Sequence, residues 1–223
     1  MIKAVVFDLD GVLLDSEELW DAAREQLAHE RGGRWNQRAQ RDMMGMSSVE
    51  WSRYMHEQIG LRAPPDEINR EVVERLQALY RERLPLIDGA REAVARVADR
   101  WPLGLASSSN RPIIDLVLEL ADLAPFFVTT VSSEEVGRGK PAPDVYIEAA
   151  ARLDVAPERC AAVEDSHNGI RSAQSAGMRV IAIPNPTFPP DTAALELADV
   201  VLDSLERLTP EAISASESES SRP

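Results

Sequence analysis

The chain has 223 residues, of which 44% are hydrophobic and 28% charged, as in ordinary globular proteins. This length can bury a full core, in one large domain or two small ones. The formal net charge of −14 at pH 7 argues against nucleic acids and anionic membranes as partners, because both bind basic surfaces.

Cysteine content and the distribution of apolar residues indicate the compartment. Cys160 is the only cysteine, so an internal disulfide is excluded, which favours a reducing environment. The first residues already form a predicted strand, without a charged-then-apolar leader, and no apolar run approaches the length of a membrane span. We therefore expect a soluble, cytoplasmic protein without a membrane partner, as a monomer or weak dimer.

Short apolar runs alternate with amphipathic segments, a pattern typical of an α/β protein with a parallel sheet. Predicted helices begin at Arg111, Ala142, His167 and Ala193. The predicted strands are Ala4–Leu9, Leu103–Ser107, Phe126–Val131, Ala161–Glu164, Val180–Ile183 and Val200–Leu202. This order predicts a Rossmann-like parallel sheet core.

The interval from residue 16 to residue 84 differs, because it contains consecutive helical patterns and no predicted strand. Its predicted helices are Glu17–Glu30, Gln37–Met44, Val49–Gln58 and Glu67–Arg83. We expect residues 16–84 to form a small all-helical domain, inserted into an α/β core built from residues 1–15 and 85–213. Residues 214–223 have no apolar anchor and are predicted to be a disordered tail.

The first predicted strand runs into two acidic residues, Asp8 and Asp10, which are followed by Gly11. Alternate residues of a strand point to the same side, so both carboxyl groups can face one pocket. Two like charges this close raise a pKa or require a cation. The alternative is a plain acidic turn at the end of a strand, which is common for a single Asp-Gly pair.

Three further motifs follow in order, each at a strand end or a helix start: residues 104–110 (GLASSSN), 139–144 (GKPAPD) and 163–170 (VEDSHNGI). Open parallel sheets bind ligands at the carboxyl ends of their strands, where these motifs fall. Together with residues 8–16 (DLDGVLLDS), they resemble the haloacid dehalogenase superfamily, in its helical-cap branch of β-phosphoglucomutase-like enzymes and phosphatases. The resemblance spans nearly the whole chain, and it implies that the helical insertion is a cap.

The resemblance implies a Mg²⁺-dependent phosphatase that hydrolyses a small phosphorylated metabolite, such as a sugar or organic phosphate. Asp8 would attack the phosphoryl group and form an aspartyl-phosphate. Asp10 would protonate the leaving oxygen and then take a proton from the hydrolytic water. The implied phosphate-binding residues are Ser107, Ser108, Asn110 and Lys140.

The acidic residues of the first and fourth motifs indicate a metal site. We expect them to bring four carboxyl groups together, and such a cluster is stable mainly around a cation. Its all-oxygen ligands favour Mg²⁺ over zinc. The resemblance implies ligation by the Asp8 side chain, the Asp10 main-chain carbonyl, and the acids Asp165 and Glu164.

Several other functions stay open to different degrees. Dehalogenases lack the second acid and the metal, and phosphonate hydrolases use a cap lysine, which residues 16–84 do not contain. β-Phosphoglucomutases carry a hinge histidine, where this chain has Trp20, and also a cap lysine. The absence of both the hinge histidine and the cap lysine favours a hydrolase. A cap arginine could replace the lysine, so a phosphosugar mutase remains the alternative. A non-catalytic phosphometabolite-binding protein and a protein phosphatase are less favoured.

Specificity is expected to come from the cap. Glycine permits close backbone approach, and Met and Trp side chains offer an adaptable apolar wall. The alternative is that Met43, Met44 and Trp51 are cap core. Ser47 with Glu50 also matches a capping box for the third helix. The candidate specificity residues are Trp20, Gly45, Met46, Ser47, Glu50, Trp51 and Arg53.

Three more positions near the motifs have assignments of their own. Ser166 and Asn168 are expected to cap the helix after the fourth motif. Glu17 lies at the hinge, where a functional role and a capping role for the first helix are both open.

Overall fold

The computed structural model describes residues 1–43, 46–187 and 189–214, without the side chains of Gln37 and Arg41. All strands pair in parallel, in the order β3-β2-β1-β4-β5-β6. The strands are β1 (Ala4–Phe7), β2 (Leu103–Ser107), β3 (Phe127–Ser132), β4 (Cys160–Glu164), β5 (Arg179–Ala182) and β6 (Val200–Val201). The predicted Rossmann-like α/β fold is confirmed.

The centre of the sheet is the first strand of the chain. All four residues of β1 are buried and apolar, as expected for a strand covered on both faces. Val5 pairs with Leu103 of β2 on one side and with Ala161 of β4 on the other. Strand order runs outward in opposite directions from β1 and β4, which creates a crevice at their carboxyl ends.

The helices outside residues 16–84 differ from the sequence predictions at four places. The helix after the third motif begins at Asp144 rather than Ala142, because a residue that precedes proline disfavours helical geometry. Two helices, Ala90–Ala98 and Pro210–Ser214, had not been predicted, and the helix predicted from Ala193 begins one residue earlier, at Thr192. These helices are α5 (Ala90–Ala98), α6 (Arg111–Leu120), α7 (Asp144–Arg152), α8 (His167–Ser175), α9 (Thr192–Leu195) and α10 (Pro210–Ser214).

The predicted tail begins one residue too early. Ser214 is the last residue of α10, whose Ile213 is fully buried and supplies an apolar anchor. Residues 215–223 lie outside the described residues. No described helix has the length and apolar character that a membrane span requires.

The segment from residue 16 to residue 84, here called the cap segment, contains helices and no strand among its described residues. Its helices are α1 (Glu17–Glu30), α2 (Gln37–Met43), α3 (Ser48–Tyr54), a π-helical turn (Met55–Ile59) and α4 (Pro65–Glu82). The predicted helix Val49–Gln58 is thus two elements, and Gly60 at φ +84° ends the second. Apolar side chains of the cap segment join the same buried cluster as Val5 and Phe7 of the sheet.

Candidate active site

The two aspartates of the first motif follow the central strand rather than lie in it. β1 ends at Phe7, so the predicted strand to Leu9 was two residues too long. The Asp8 amide still donates a hydrogen bond to Val163 of β4 (3.0 Å). The chain then turns at Gly11, whose φ of +82° favours glycine. A Cβ atom on Gly11 would lie 2.0 Å from an Asp165 carboxylate oxygen, so this turn packs directly against the fourth motif.

A buried ammonium group joins three of the motifs. Lys140 Nζ donates hydrogen bonds to Asp8 Oδ1 (2.8 Å) and to Glu164 Oε1 (2.6 Å). Burial raises the pKa of Asp8 to about 7, although the charge of Lys140 counteracts it. Burial alone would lower the pKa of Lys140, but its two carboxylate neighbours outweigh that effect and raise it above the usual range. Lys140 is therefore a permanent cation beside Asp8.

Both carboxylate oxygens of Glu164 are engaged in hydrogen bonds. Its Oε1 accepts from Lys140 and from the Tyr146 hydroxyl (2.6 Å each). Its Oε2 accepts from the backbone N–H groups of Asp165 (3.1 Å) and Ser166 (3.4 Å). A Cβ atom on Gly169 would lie within 2.0 Å of this carboxylate, so α8 needs glycine there. Glu164 is thus held in place and in turn orients Lys140.

Three of the four predicted carboxyl groups lie together. Asp8, Glu164 and Asp165 each have a carboxylate oxygen within 4.8 Å of the others. Asp165 Oδ1 is buried, and it has no hydrogen-bond partner among the described residues. Burial, reinforced by the charges of Glu164 and Asp8, raises the pKa of Asp165 well above its usual range. These three carboxylates together have more negative charge than the single positive charge of Lys140 can balance. A hard divalent cation such as Mg²⁺ suits such oxygen donors. The residues therefore fit the predicted metal.

The fourth carboxylate, that of Asp10, is bound elsewhere. Its Oδ1 accepts hydrogen bonds from Ser16 Oγ (2.6 Å) and Trp20 Nε1 (3.1 Å). Its Oδ2 accepts from Ser109 Oγ (2.6 Å). Two of these donors belong to the cap segment, so the cap contributes to orienting Asp10. The expectation of four clustered carboxyl groups was wrong for this residue, because three hydroxyl or indole donors bind its oxygens.

Residues of the second motif take different positions around the site. Ser107 is fully buried, and its Oγ accepts a hydrogen bond from the Ser109 amide (2.9 Å). Ser108 lines the cavity beside Asp8. Asn110 donates through its side-chain amide to Glu134 (2.6 Å) and to Asn69 of α4 (3.0 Å). The Asn110 side chain thus links the core to the cap segment.

A cavity of about 400 Å³ lies over this site, a volume within the usual range for small-molecule pockets. Its lining includes Asp8, Lys140 and Asp165, together with Asn168 and Asn185. The predicted capping role of Ser166 is confirmed, because its Oγ accepts a hydrogen bond from the Gly169 amide (3.1 Å). Asn168, also expected to cap, instead lines the cavity.

A second cavity, of about 50 Å³, extends from Asp10 into the cap segment. Three of the candidate specificity residues line it, namely Trp20, Met46 and Trp51. Trp51 is also buried in the cap core, so that interpretation is confirmed, while its role in specificity stays a prediction. Arg24 of α1 lines the same cavity and had not been identified from sequence, because an arginine within an amphipathic helix has no local signature.

Among the described residues, the candidates Ser47, Glu50 and Arg53 do not line either cavity. The predicted capping box is confirmed, because the Ser47 amide donates to Glu50 Oε2 at the start of α3 (2.9 Å). Arg53 is exposed, and Gly45 lies outside the described residues. Sequence reasoning also missed Ser109, Glu134 and Tyr146, whose roles depend on contacts between residues far apart in the chain.

Fold and site together define a Rossmann-like α/β protein with a buried acidic centre that one lysine partly balances. A family model described as haloacid dehalogenase-like hydrolase matches residues 2–177, and the chain belongs to this family. The resemblance identified from the motifs is therefore confirmed.

Individual relatives cover nearly the whole chain. Hexitol phosphatase B of Escherichia coli (strain K12) is 36% identical over 227 residues, covering 93% of this chain and 95% of the relative. A probable pseudouridine-5′-phosphatase of Drosophila melanogaster is 34% identical over 213 residues, covering 92% and 91%. The crystal structure of CbbY from Rhodobacter sphaeroides in complex with phosphate superposes with a TM-score of 0.86 at 29% identity, covering 96% and 100%. The predicted enzyme class, a phosphoric monoester hydrolase of this family, is confirmed.

Replacing Gly169 tests the packing that holds Glu164. Alanine normally favours a helix over glycine by about 1 kcal/mol. Here we expect Gly169→Ala to lower the free energy of unfolding by about 1–3 kcal/mol, because its Cβ would overlap the Glu164 carboxylate. Urea denaturation measures this change. Gly137→Ala, whose Cβ would meet only an ordinary contact at 3.6 Å, is the control. A stabilised Gly169→Ala protein would contradict the packing described.

The Glu17 carboxyl group gives a pH-dependent prediction. Burial, with Asp10 among the nearby charges, raises the pKa of Glu17 to about 6. Its contribution to stability is therefore present below about pH 4 and is lost as the pH rises through 6. We expect the free energy of unfolding of Glu17→Gln to exceed that of the wild type by about 1 kcal/mol at pH 8. At pH 4 we expect the two free energies to be equal. Glu18→Gln, at an exposed position, is the control in urea denaturation at both pH values. An equal difference at both pH values would refute this interpretation.

Proposed function

We propose that the protein is a Mg²⁺-dependent phosphatase that hydrolyses a small phosphorylated metabolite, a sugar or organic phosphate, through an aspartyl-phosphate on Asp8. The observation that carries this proposal is the Asp8 carboxylate, hydrogen-bonded to a buried Lys140 at the wall of a cavity sized for a small molecule. The names of the two curated relatives, both phosphatases, support the same reaction type.

The chemistry follows from the two aspartates of the first motif. A carboxylate oxygen of Asp8 attacks phosphorus in line, and the bond from phosphorus to the ester oxygen breaks. The leaving oxygen takes a proton from Asp10. In the second step water attacks the phosphorus while Asp10 accepts a proton from it, which releases phosphate and restores the Asp8 carboxylate. The hydrogen bonds to Asp10 keep its carboxyl group in one orientation for both transfers.

The remaining charges of the site suit a phosphoryl group. Lys140 supplies a fixed positive charge beside Asp8. The residues proposed to hold Mg²⁺ are Asp8 and Asp165 through their side chains and Asp10 through its main-chain carbonyl, with Glu164 nearby. When bound, Mg²⁺ would neutralise charge on the phosphoryl oxygens and the carboxylates.

A phosphosugar mutase is the second candidate, and one observation favours it. Arg24 of the cap segment is buried beside the small cavity, where a cap arginine could take the place of the missing cap lysine. A mutase would interconvert two isomeric sugar phosphates, whereas the proposed phosphatase releases inorganic phosphate.

A cytoplasmic location and a monomeric or weakly dimeric state complete the proposal. The only cysteine, Cys160, is buried, and burial raises the pKa of its thiol to about 11. A thiol of this kind suits a reducing compartment and has no role in the proposed chemistry. Gel filtration over a range of concentrations measures the oligomeric state.

Substitution of the two aspartates tests the reaction directly. We expect Asp8→Asn to lower kcat by about 10³-fold or more, because the nucleophile is lost. Asp10→Asn should lower it by about 10²-fold or more, because proton transfer is lost. The measurement is phosphate release from a panel of sugar and organic phosphates with Mg²⁺, and EDTA should abolish it.

Asp15→Asn, at an exposed position of the first motif, is the matched control. Full activity of Asp8→Asn would contradict the nucleophile assignment. Conversion of β-glucose 1-phosphate to glucose 6-phosphate without phosphate release would establish the mutase instead.

A further inference from the structure

A buried arginine of the cap segment has no partner in the proposed chemistry. Arg24 is 6% exposed, and its guanidinium carbon lies 4.8 Å from the ring centroid of Trp20 and 5.1 Å from that of Trp51. Among the described residues it forms no ion pair within 4 Å and no side-chain hydrogen bond. Burial lowers the pKa of Arg24 to about 10, so the group remains charged at neutral pH. Burying a charge without hydrogen bonds is unfavourable unless a ligand supplies them.

The position of Arg24 connects it to the site of phosphoryl transfer. The 50 Å³ cavity that Arg24 lines shares Asp10, Glu17 and Ser108 with the larger cavity over Asp8. Asp10 is the residue that would protonate the leaving oxygen. A group attached to that oxygen, on the far side of the ester from phosphorus, can therefore extend toward Arg24.

We propose that Arg24 is a specificity-determining residue that donates hydrogen bonds to hydroxyl groups of the substrate's leaving part. The substrate class is then a sugar or polyol phosphate with an otherwise uncharged carbon chain. This inference rests on the proposed phosphatase function and deepens it.

The charges around Arg24 favour a neutral ligand over an anionic one. Asp10 and Glu17 line the same cavity, and the charge of Asp21 also acts on the guanidinium. One cation among three carboxyl groups already has compensation at a distance, so an additional carboxylate or phosphate would meet net repulsion. These charges therefore count against the mutase, in which Arg24 would hold a second phosphate. A hydroxyl group can accept from Arg24 and donate to a carboxylate such as that of Glu17.

The size and walls of the cavity agree with this ligand. The cavity of about 50 Å³ is much smaller than the cavity over Asp8, which favours a small group such as hydroxymethyl there. The indole rings of Trp20 and Trp51 provide an apolar surface for carbon-bound hydrogens. Hydroxyl donors and acceptors beside an aromatic surface match the chemistry of a polyol.

Kinetics with three esters separate these possibilities. The substrates are D-glucitol 6-phosphate, phenyl phosphate, which has no hydroxyl group on its leaving part, and 6-phosphogluconate, which adds a carboxylate. In Arg24→Met, which keeps an unbranched apolar chain, the ratio of kcat/KM for D-glucitol 6-phosphate to that for phenyl phosphate should fall about tenfold or more. The change should come mainly through KM. Arg24→Lys should retain part of the ratio, because it keeps a cationic donor.

Arg62→Met is the matched control, since Arg62 is an exposed arginine of the cap segment. Circular dichroism spectra and thermal midpoints show whether each variant folds, and Arg24→Lys provides the comparison if Arg24→Met does not. An unchanged ratio, with all three esters still hydrolysed, would overturn the assignment of Arg24 and leave the phosphatase intact. A loss confined to 6-phosphogluconate would show carboxylate binding and would also overturn it.

A binding measurement tests the inference without turnover. Calorimetric titration of D-glucitol 6-phosphate into Asp8→Asn protein should give a Kd about tenfold tighter than into the Asp8→Asn, Arg24→Met double variant. Equal Kd values would overturn the role of Arg24. Failure of the wild type to hydrolyse any of the esters, with this difference in Kd intact, would instead contradict the proposed function.

Discussion

The rest of the site depends on the hydrogen bonds that the buried ammonium group of Lys140 donates. This group lies between Asp8, which follows the first strand, and Glu164, which ends the fourth. A charge in this position is tolerated only where hydrogen bonds and opposite charges surround it. The Tyr146 hydroxyl shares Glu164 with Lys140, and Gly169 leaves room for the carboxylate. Three parts of the chain that are far apart in sequence are thereby fixed around the proposed nucleophile.

The cap segment contributes hydrogen-bond donors and part of a cavity wall to the site. Ser16 and Trp20 donate to Asp10 from the start of α1, so the orientation of the proposed acid depends on where this helix lies. Glu134 of the core accepts hydrogen bonds from both Ser48 (2.9 Å) and Asn110 (2.6 Å). Movement of the cap would break these bonds and change the surroundings of Asp10 at the same time. In the proposed mechanism, an opening of the cap that admits substrate would therefore also change the contacts of the residue proposed to transfer the proton.

The sequence predicted the parts of the structure that have local signatures. Buried apolar strands, the order of the four motifs, and the capping box at Ser47 all have patterns of a few residues. The spacing of Asp8 and Asp10 predicted one shared pocket, which both residues do line. The spacing could not predict that the Asp10 carboxylate lies outside the acidic cluster, because Ser109, which donates a hydrogen bond to Asp10, follows a different strand.

Contacts between distant residues account for what the sequence did not predict. Tyr146 of α7 contacts Glu164 of β4, and Glu134, which follows the end of β3, contacts the cap segment, so neither has a pattern of sequence neighbours that identifies it. Arg24 occupies an ordinary position in an amphipathic helix. Only the packing of Trp20 and Trp51 around its guanidinium group distinguishes Arg24 from a surface arginine. The candidate Arg53, chosen for its place near a predicted loop, proved exposed.

Chemical trapping of the phosphorylated enzyme tests the central claim most directly. The protein is mixed with a sugar phosphate that it hydrolyses, and the reaction is quenched within one turnover. Borohydride then reduces an acyl phosphate on an aspartate to homoserine at the modified position. Peptide mass spectrometry then locates the change. We expect homoserine at position 8, and none when substrate is omitted. Homoserine at another aspartate, 5-hydroxynorvaline at a glutamate, or a stable phosphate on Ser107 instead, would contradict the assignment of Asp8 as the nucleophile.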